Sequence, residues 1–236
     1  MSGSWLMPFG PVDGRPLVVC VPQAGSGCGV FRAWQHELGD VATVVGVQLP
    51  GRENRFVEPP PSSFDHAVME IVAALVELGT PTVLFGHSLG GLFGYEVARA
   101  LPAPPSALVV AASHPPHRSG AVAGSIVFDT DEGFAKALAD KGVDEDMREL
   151  AVELLRQDAE LAATYAAPAG ALVPCDLHVW GGDADERVPA AALDEWQGYA
   201  GRGYERRTFA GGHDFCLTPE VAPVVRSLLS AVGQGV

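Results

Sequence analysis

The sequence predicts an α/β fold, a mostly parallel sheet with helices on both faces and a helical lid insertion. Three observations carry this. Short apolar runs rich in β-branched residues alternate with segments of helical period. The pentapeptide Gly86-His87-Ser88-Leu89-Gly90 falls between one such run and a helix. From His114 to Pro174 the alternation lapses, and an amphipathic helix stands there with no convincing strand beside it.

Residues 1–14 mix Gly, Pro and Ser without period and read as an irregular lead-in. Leu17–Val21, bounded by Pro16 and Pro22, is a buried strand; Phe31–Leu38 is a helix and Ala42–Val47 the second strand. Over Phe64–Leu78, residues Phe64, Val68, Ile71, Val72 and Leu75 share one helical face. Ser62 is the expected cap, with Asp65 reaching back, and Gly79 and Pro81 stop the helix. Thr82–Phe85 is a strand, Gly90–Leu101 a helix and Ala107–Ala111 a strand. In the insertion, a small helix near Gly133–Ala139 precedes a longer one capped by Asp144. Its Met147, Leu150, Leu154 and Tyr165 are expected to face the pocket. Leu177–Trp180 and Tyr204–Phe209 are the last strands, with a helix near Ala190–Trp196 between them and Val221–Val232 closing. The 236 residues, 47% hydrophobic, fit one domain spanning 1–236, with the lid at His114–Pro174.

A formal charge of −14 argues against nucleic acid, which requires a basic footprint. Half of it lies between Asp129 and Glu160, where 11 acids face four bases, a run that reads as a solvated helical face. No apolar run is long enough to span a membrane and no leader pattern opens the chain, so a cytoplasmic protein is expected. Cys20, Cys28, Cys175 and Cys216 show neither C-x-x-C nor a disulfide spacing and read as small buried side chains. No His/Cys cluster has zinc-like spacing, so no metal is expected.

Gly86–Gly90 matches G-x-S-x-G in the strand–turn–helix setting that the α/β-hydrolase nucleophile elbow requires. Ser88 is the candidate nucleophile. Small Gly86 and Gly90 give the strained turn its room, and the helix start turns the Leu89 N–H toward a developing oxyanion. The second donor should come from the loop after the first strand, Pro22–Gly27; the Ala24 N–H is favoured, with Gln23 the alternative. That loop lacks the Gly-Lys-Ser/Thr ending of a phosphate cradle. The chain order serine, acid, histidine selects His213 as the base, after the last strand, with His114 and His117 its rivals. His36 and His66 fall on helices, His178 lies in a strand, and His87 fills the elbow. The acid belongs to the loop after Leu177–Trp180, where Asp185 is preferred over Asp183 and either could instead cap a turn.

Four segments resemble the type II thioesterases that accompany polyketide synthases and nonribosomal peptide synthetases. They are Cys20–Gly25; Gln48-Leu49-Pro50-Gly51-Arg52-Glu53-Asn54-Arg55; Phe85–Gly91 with Tyr95–Ala98; and Gly211–His213. The second is the most specific, because the general hydrolase fold does not require it. The loop reads Gly25-Ser26-Gly27-Cys28 where a Gly-Gly pair is usual, and the lid is acidic and alanine-rich. The resemblance implies hydrolysis of acyl groups from the phosphopantetheine thiol of acyl or peptidyl carrier proteins, with no cofactor. A small-ester esterase or lipase is the alternative, and a non-catalytic binding protein on the same fold the rival of another class. Arg52 and Arg55 are candidates for a local carrier contact, unless they pair internally with Glu53 or Glu58.

Overall fold

A computed structural model describes residues 4–118, 120 and 144–232. The predicted helix at Gly133–Ala139 lies outside the described residues. Strands β1 (Leu6–Pro8), β2 (Leu17–Val21), β3 (Thr43–Val47), β4 (Val83–His87), β5 (Ala107–Ala111), β6 (Asp176–Gly182) and β7 (Tyr204–Phe209) form one seven-stranded sheet in the order β1-β3-β2-β4-β5-β6-β7. β1 runs antiparallel to β3, and every other pairing is parallel. The α-helices among the described residues are α1 (Arg32–Leu38), α2 (Phe64–Leu78), α3 (Leu89–Ala100), α4 (Glu145–Ala163), α5 (Ala190–Asp194) and α6 (Val221–Val232). This is the predicted α/β-hydrolase architecture.

The inner strands are buried on both faces because alternate residues enter different cores. Val19, Val21, Leu84 and Val110 pack with Ile71 and Leu75 of α2 and Leu92 of α3. Val18, Cys20, Phe85 and Val109 pack on the opposite side with Trp34 of α1 and Val225 of α6. All four cysteines are buried and unpaired.

Several boundaries differ from the sequence reading. β1 was hidden in the lead-in, since three residues ending in a proline carry no period; Pro8 is tolerated on this edge strand. β4 runs on to His87 because Gly86 and His87 pair with Val110 and Ala111, so the motif's first two residues are strand. The cap of α2 is Ser63, whose Oγ accepts from the His66 N–H, while Ser62 Oγ lies 3.0 Å from His66 Nδ1 instead. Asp144 does cap α4, accepting from the Met147 N–H at 3.1 Å.

The topology delivers the candidate residues to one edge. Ser88 follows β4, Gln23–Gly25 follow β2, and Gln48–Arg55 follow β3. Asp183 and Asp185 follow β6, and His213 follows β7. All lie beyond the carboxyl ends of parallel strands, where open α/β sheets bind ligands.

Candidate active site

Ser88 has φ 54° and ψ −118°, a conformation costing about 1–3 kcal/mol for a residue with a Cβ. The surroundings hold it there. Its N–H donates to the Ala111 carbonyl at 2.8 Å, and its carbonyl accepts from Gly91 at 2.9 Å. A Cβ on Gly86 would lie 2.1 Å from the Gly90 carbonyl oxygen, and one on Gly90 would lie 2.2 Å from that of Val21. The turn therefore requires glycine at both places. Ser88 stays partly exposed between buried His87 and buried Leu89. Leu89 opens α3, so its N–H has no carbonyl partner within its own helix.

His213 Nδ1 lies 3.0 Å from Asp185 Oδ2, with the His213 side chain 12% exposed and that of Asp185 fully buried. Asp185 Oδ1 accepts the N–H of Arg187 at 2.9 Å and of Val188 at 3.1 Å. Burial pushes the Asp185 carboxyl up, but the hydrogen bond and charge of His213 and these two N–H groups outweigh it, leaving it below the ordinary carboxylate value. With Nδ1 engaged, Nε2 is the ring nitrogen left for proton transfer. Asp183 does not share this contact. Its Oδ1 accepts the Gly211 N–H at 2.9 Å and so holds the histidine's loop.

The other histidines are occupied elsewhere. His117 pairs with Tyr199 Oη at 2.8 Å and Glu195 at 2.9 Å, and His178 with Glu205 at 3.0 Å. His114 Nε2 lies 3.2 Å from the Arg187 carbonyl. His87 fills the elbow: its Nε2 lies 2.9 Å from the His213 carbonyl and its Nδ1 3.0 Å from Gln23 Oε1. Burial, then repulsion from His213, lowers it to about 4, so the ring is neutral near pH 7. A neutral imidazole has one N–H, so Nε2 donates to the His213 carbonyl and Nδ1 accepts from the Gln23 amide turned to present its nitrogen; the ring thus ties the elbow to the loops on either side.

The loop after β2 is held from behind by the segment 48–55. The Gln48 Oε1 accepts the Cys28 N–H at 2.9 Å, Glu53 Oε1 accepts that of Gly29 at 3.1 Å, and Arg52 Nη1 donates to the Ser26 carbonyl at 3.3 Å. Arg55 donates to the Gln48 carbonyl, pairs with Glu58 at 2.8 Å and stacks 4.7 Å over the Trp5 ring. Neither arginine offers a carrier contact: Arg52 is 3% and Arg55 2% exposed. Arg52 pairs not with Glu53 but with Asp158 of α4, in a buried two-point bridge of 2.7 and 2.9 Å.

α4 departs from the expected lid geometry. Met147 and Leu150 project to solvent, 53% and 37% exposed, and Leu154 is half-buried. The inward stripe is Leu155, Asp158, Ala159 and Ala162, about 100° per residue carrying it around from the earlier apolar positions. Tyr165 is buried, donating to Glu96 at 2.7 Å. Asp158, read as part of a solvated acidic face, accepts the Gly25 N–H at 2.7 Å. The missed signal was a lone carboxylate at helical spacing between Leu155 and Ala162, on the apolar face.

Among the described residues no group of three or more His, Cys, Asp and Glu is placed to hold a metal ion, and no helix is long and apolar enough to cross a membrane. The thioesterase domain family matches residues 16–230. The type II thioesterase BorB from the borrelidin biosynthetic cluster superposes with a TM-score of 0.83 at 26% identity, covering 97% of this chain and 99% of BorB. The RedJ thioesterase from the prodiginine pathway of Streptomyces coelicolor gives 0.77 at 31% identity, covering 93% of this chain and 87% of RedJ. The chain is 30% identical to a region of the AMB antimetabolite synthetase AmbE of Pseudomonas aeruginosa and spans 11% of its length.

Proposed function

The chain belongs to the thioesterase family and is a hydrolase of the α/β-hydrolase fold; from that premise we propose that it is a type II thioesterase releasing acyl groups from the phosphopantetheine thiol of acyl or peptidyl carrier proteins. Such release would clear stalled or mis-primed polyketide and nonribosomal peptide synthases. The observation that carries the reading is the His213–Asp185 pair at 3.0 Å, bound through His87 to the strained Ser88 elbow. The likeness to BorB supports the type II assignment.

Ser88 Oγ attacks the thioester carbonyl as His213 Nε2 takes its proton, and Asp185 holds the ring and stabilises the imidazolium. The N–H groups of Leu89 and Ala24 receive the oxyanion. Collapse breaks the C–S bond and the imidazolium returns its proton to the pantetheine sulfur. Thiols have a pKa of about 8.5, so this departure needs less acid assistance than expulsion of an amine. Water, deprotonated by His213, then attacks the acyl-serine, releasing the carboxylic acid and restoring Ser88. No cofactor enters these steps.

The test is release of acetyl, propionyl, butyryl and longer acyl groups from one carrier protein, alongside fluorophosphonate labelling of wild type and Ser88→Ala. Acyl release and labelling, both lost in the variant, are expected. Labelling without release from any acyl carrier, but with cleavage of small oxygen esters, would reassign the protein as an esterase.

A further inference from the structure

Asp158 carries three bonds from two other segments. Oδ2 accepts the Gly25 N–H at 2.7 Å and Arg52 Nη1 at 2.9 Å, and Oδ1 accepts Arg52 Nη2 at 2.7 Å. Both side chains are out of water, 3% and 1% exposed. Removing two charges from water is costly, and an apolar pair of similar volume generally serves stability as well or better. Apolar contact with Gly25 is in any case already present: Leu155 lies where a Gly25 Cβ would stand, its Cδ2 at 2.7 Å. A carboxylate adds what leucine cannot, a directional acceptor for one backbone N–H.

That N–H belongs to the peptide adjoining Ala24. Gly25 sits at φ +73°, a region glycine enters as freely as its mirror image, so the loop alone does not fix this peptide. Ala24 is bracketed instead. On one side Gln23 reaches His87, and its carbonyl accepts the Ser26 N–H at 3.3 Å. On the other side stands Asp158.

We propose that Asp158 is a positioning residue for the reaction: held by Arg52, it fixes the Gly25 peptide and thereby the direction of the Ala24 N–H, so that oxyanion stabilisation depends on the seating of α4. The proposal rests on the reading of Ala24 as an oxyanion donor. It gives the 48–55 segment a task beyond bracing, because the two-point contact of Arg52 holds the Asp158 carboxylate aimed at Gly25. It also gives the lid helix a role in the chemical step beside any part in substrate access.

The experiment compares Asp158→Glu, which keeps a charge for Arg52 but moves the carboxylate by one methylene, with Asp158→Leu, which removes the acceptor, and the neutral pair Arg52→Met/Asp158→Leu, which removes the acceptor and both charges. Turnover is measured on acetyl-pantetheine, and binding on a trifluoromethyl ketone analogue. Addition of the Ser88 hydroxyl to that ketone, with its proton passing to His213, places an oxyanion in the same hole. Expected is a fall in kcat of about tenfold to a hundredfold with KM within about threefold, and weaker analogue binding by the same factor as kcat/KM. Arg52→Lys, retaining the charge, should lose less. If the single variants fail to fold, the neutral pair reports, since no charge is left unpaired. A folded Asp158→Glu or neutral pair with wild-type kcat and analogue affinity overturns the proposal, as does a change confined to KM. Ser88→Ala is assayed in parallel. Turnover surviving in it would mean that the active-site reading itself has failed, a different result from loss in Ser88→Ala with none in the Asp158 variants.

Discussion

Asp183 and Asp185 stand in one loop and hold the histidine loop at different points, Asp185 on the His213 ring and Asp183 on the Gly211 N–H. The division separates orientation of the candidate base from support of the turn that presents it. Asp185→Asn is expected to lower kcat by about 10³–10⁴, because the amide favours the wrong imidazole tautomer. Ser88→Ala and His213→Ala should each remove nearly all activity, since the residues act as one unit. Asp183→Asn retains an oxygen for Gly211 and should stay within about tenfold of wild type. Steady-state turnover of an acyl-pantetheine substrate ranks the four variants; a larger loss from the Asp183 change would reverse the assignment of the acid.

Much of the frame was legible because its elements are periodic and bounded. Leu17–Val21, Phe64–Leu78, Ala107–Ala111 and Tyr204–Phe209 lie where alternation and stop signals put them. The Ser88 elbow was legible because glycine is required there by contact with backbone atoms, which any sequence with this turn must satisfy. β1 was not, being too short for a period and placed by its pairing with β3 and the burial of Leu6. The Arg52–Asp158 bridge was not either, since its partners are 106 residues apart and each alone looks like a surface charge. The face of α4 turned inward is set by docking on Gly25, which local pattern does not encode.

His87 makes a prediction about acid stability. Its native value of about 4 lies below its ordinary 6.5, so the unfolded chain binds the proton first as pH falls. The stabilisation is fully present above about pH 6.5 and is lost progressively down to about pH 4, up to about 3 kcal/mol in all. His114 and His178, also lowered chiefly by burial, act in the same direction. Asp185, held below the ordinary 3.8, loses its contribution only at lower pH, outside this window. Denaturant unfolding of His87→Gln should therefore show a shallower decline than wild type between pH 6.5 and 4. Parallel curves for the two proteins would mean that His87 is not the group responsible.

Gly25→Ala sets a Cβ against Leu155 Cδ2 at 2.7 Å and Cγ at 2.8 Å while holding alanine at φ +73°. The overpacking and the left-handed backbone should together destabilise the protein by about 2–4 kcal/mol. Leu155→Ala removes the first of these penalties but not the second. In the double variant the two changes should couple favourably by about 1 kcal/mol or more, leaving the backbone penalty as the residue. Strict additivity in unfolding experiments on the four proteins would show that α4 does not press on Gly25 in solution.

Salt dependence tests how a carrier protein approaches. Arg52 and Arg55, the candidates for a local carrier contact, are spent on Asp158 and Glu58 and buried. Meanwhile Glu145, Asp146, Glu149, Glu153 and Glu160 stand exposed on α4, on a chain of formal charge −14. Carrier proteins are acidic as a class, so the two fields oppose one another, and steering requires opposite potentials. At about 10 mM salt the screening length is about 30 Å and repulsion extends across the encounter; at about 150 mM it is about 8 Å. Raising salt over that range should increase kcat/KM for an acyl-carrier substrate by about two- to fivefold, while an uncharged acyl thioester is unaffected. Glu149→Gln/Glu153→Gln should raise the low-salt rate and flatten the response, because both carboxylates lie on the exposed part of α4. A steep fall in carrier turnover with added salt, with the small substrate unchanged, would instead require a basic docking patch on another face.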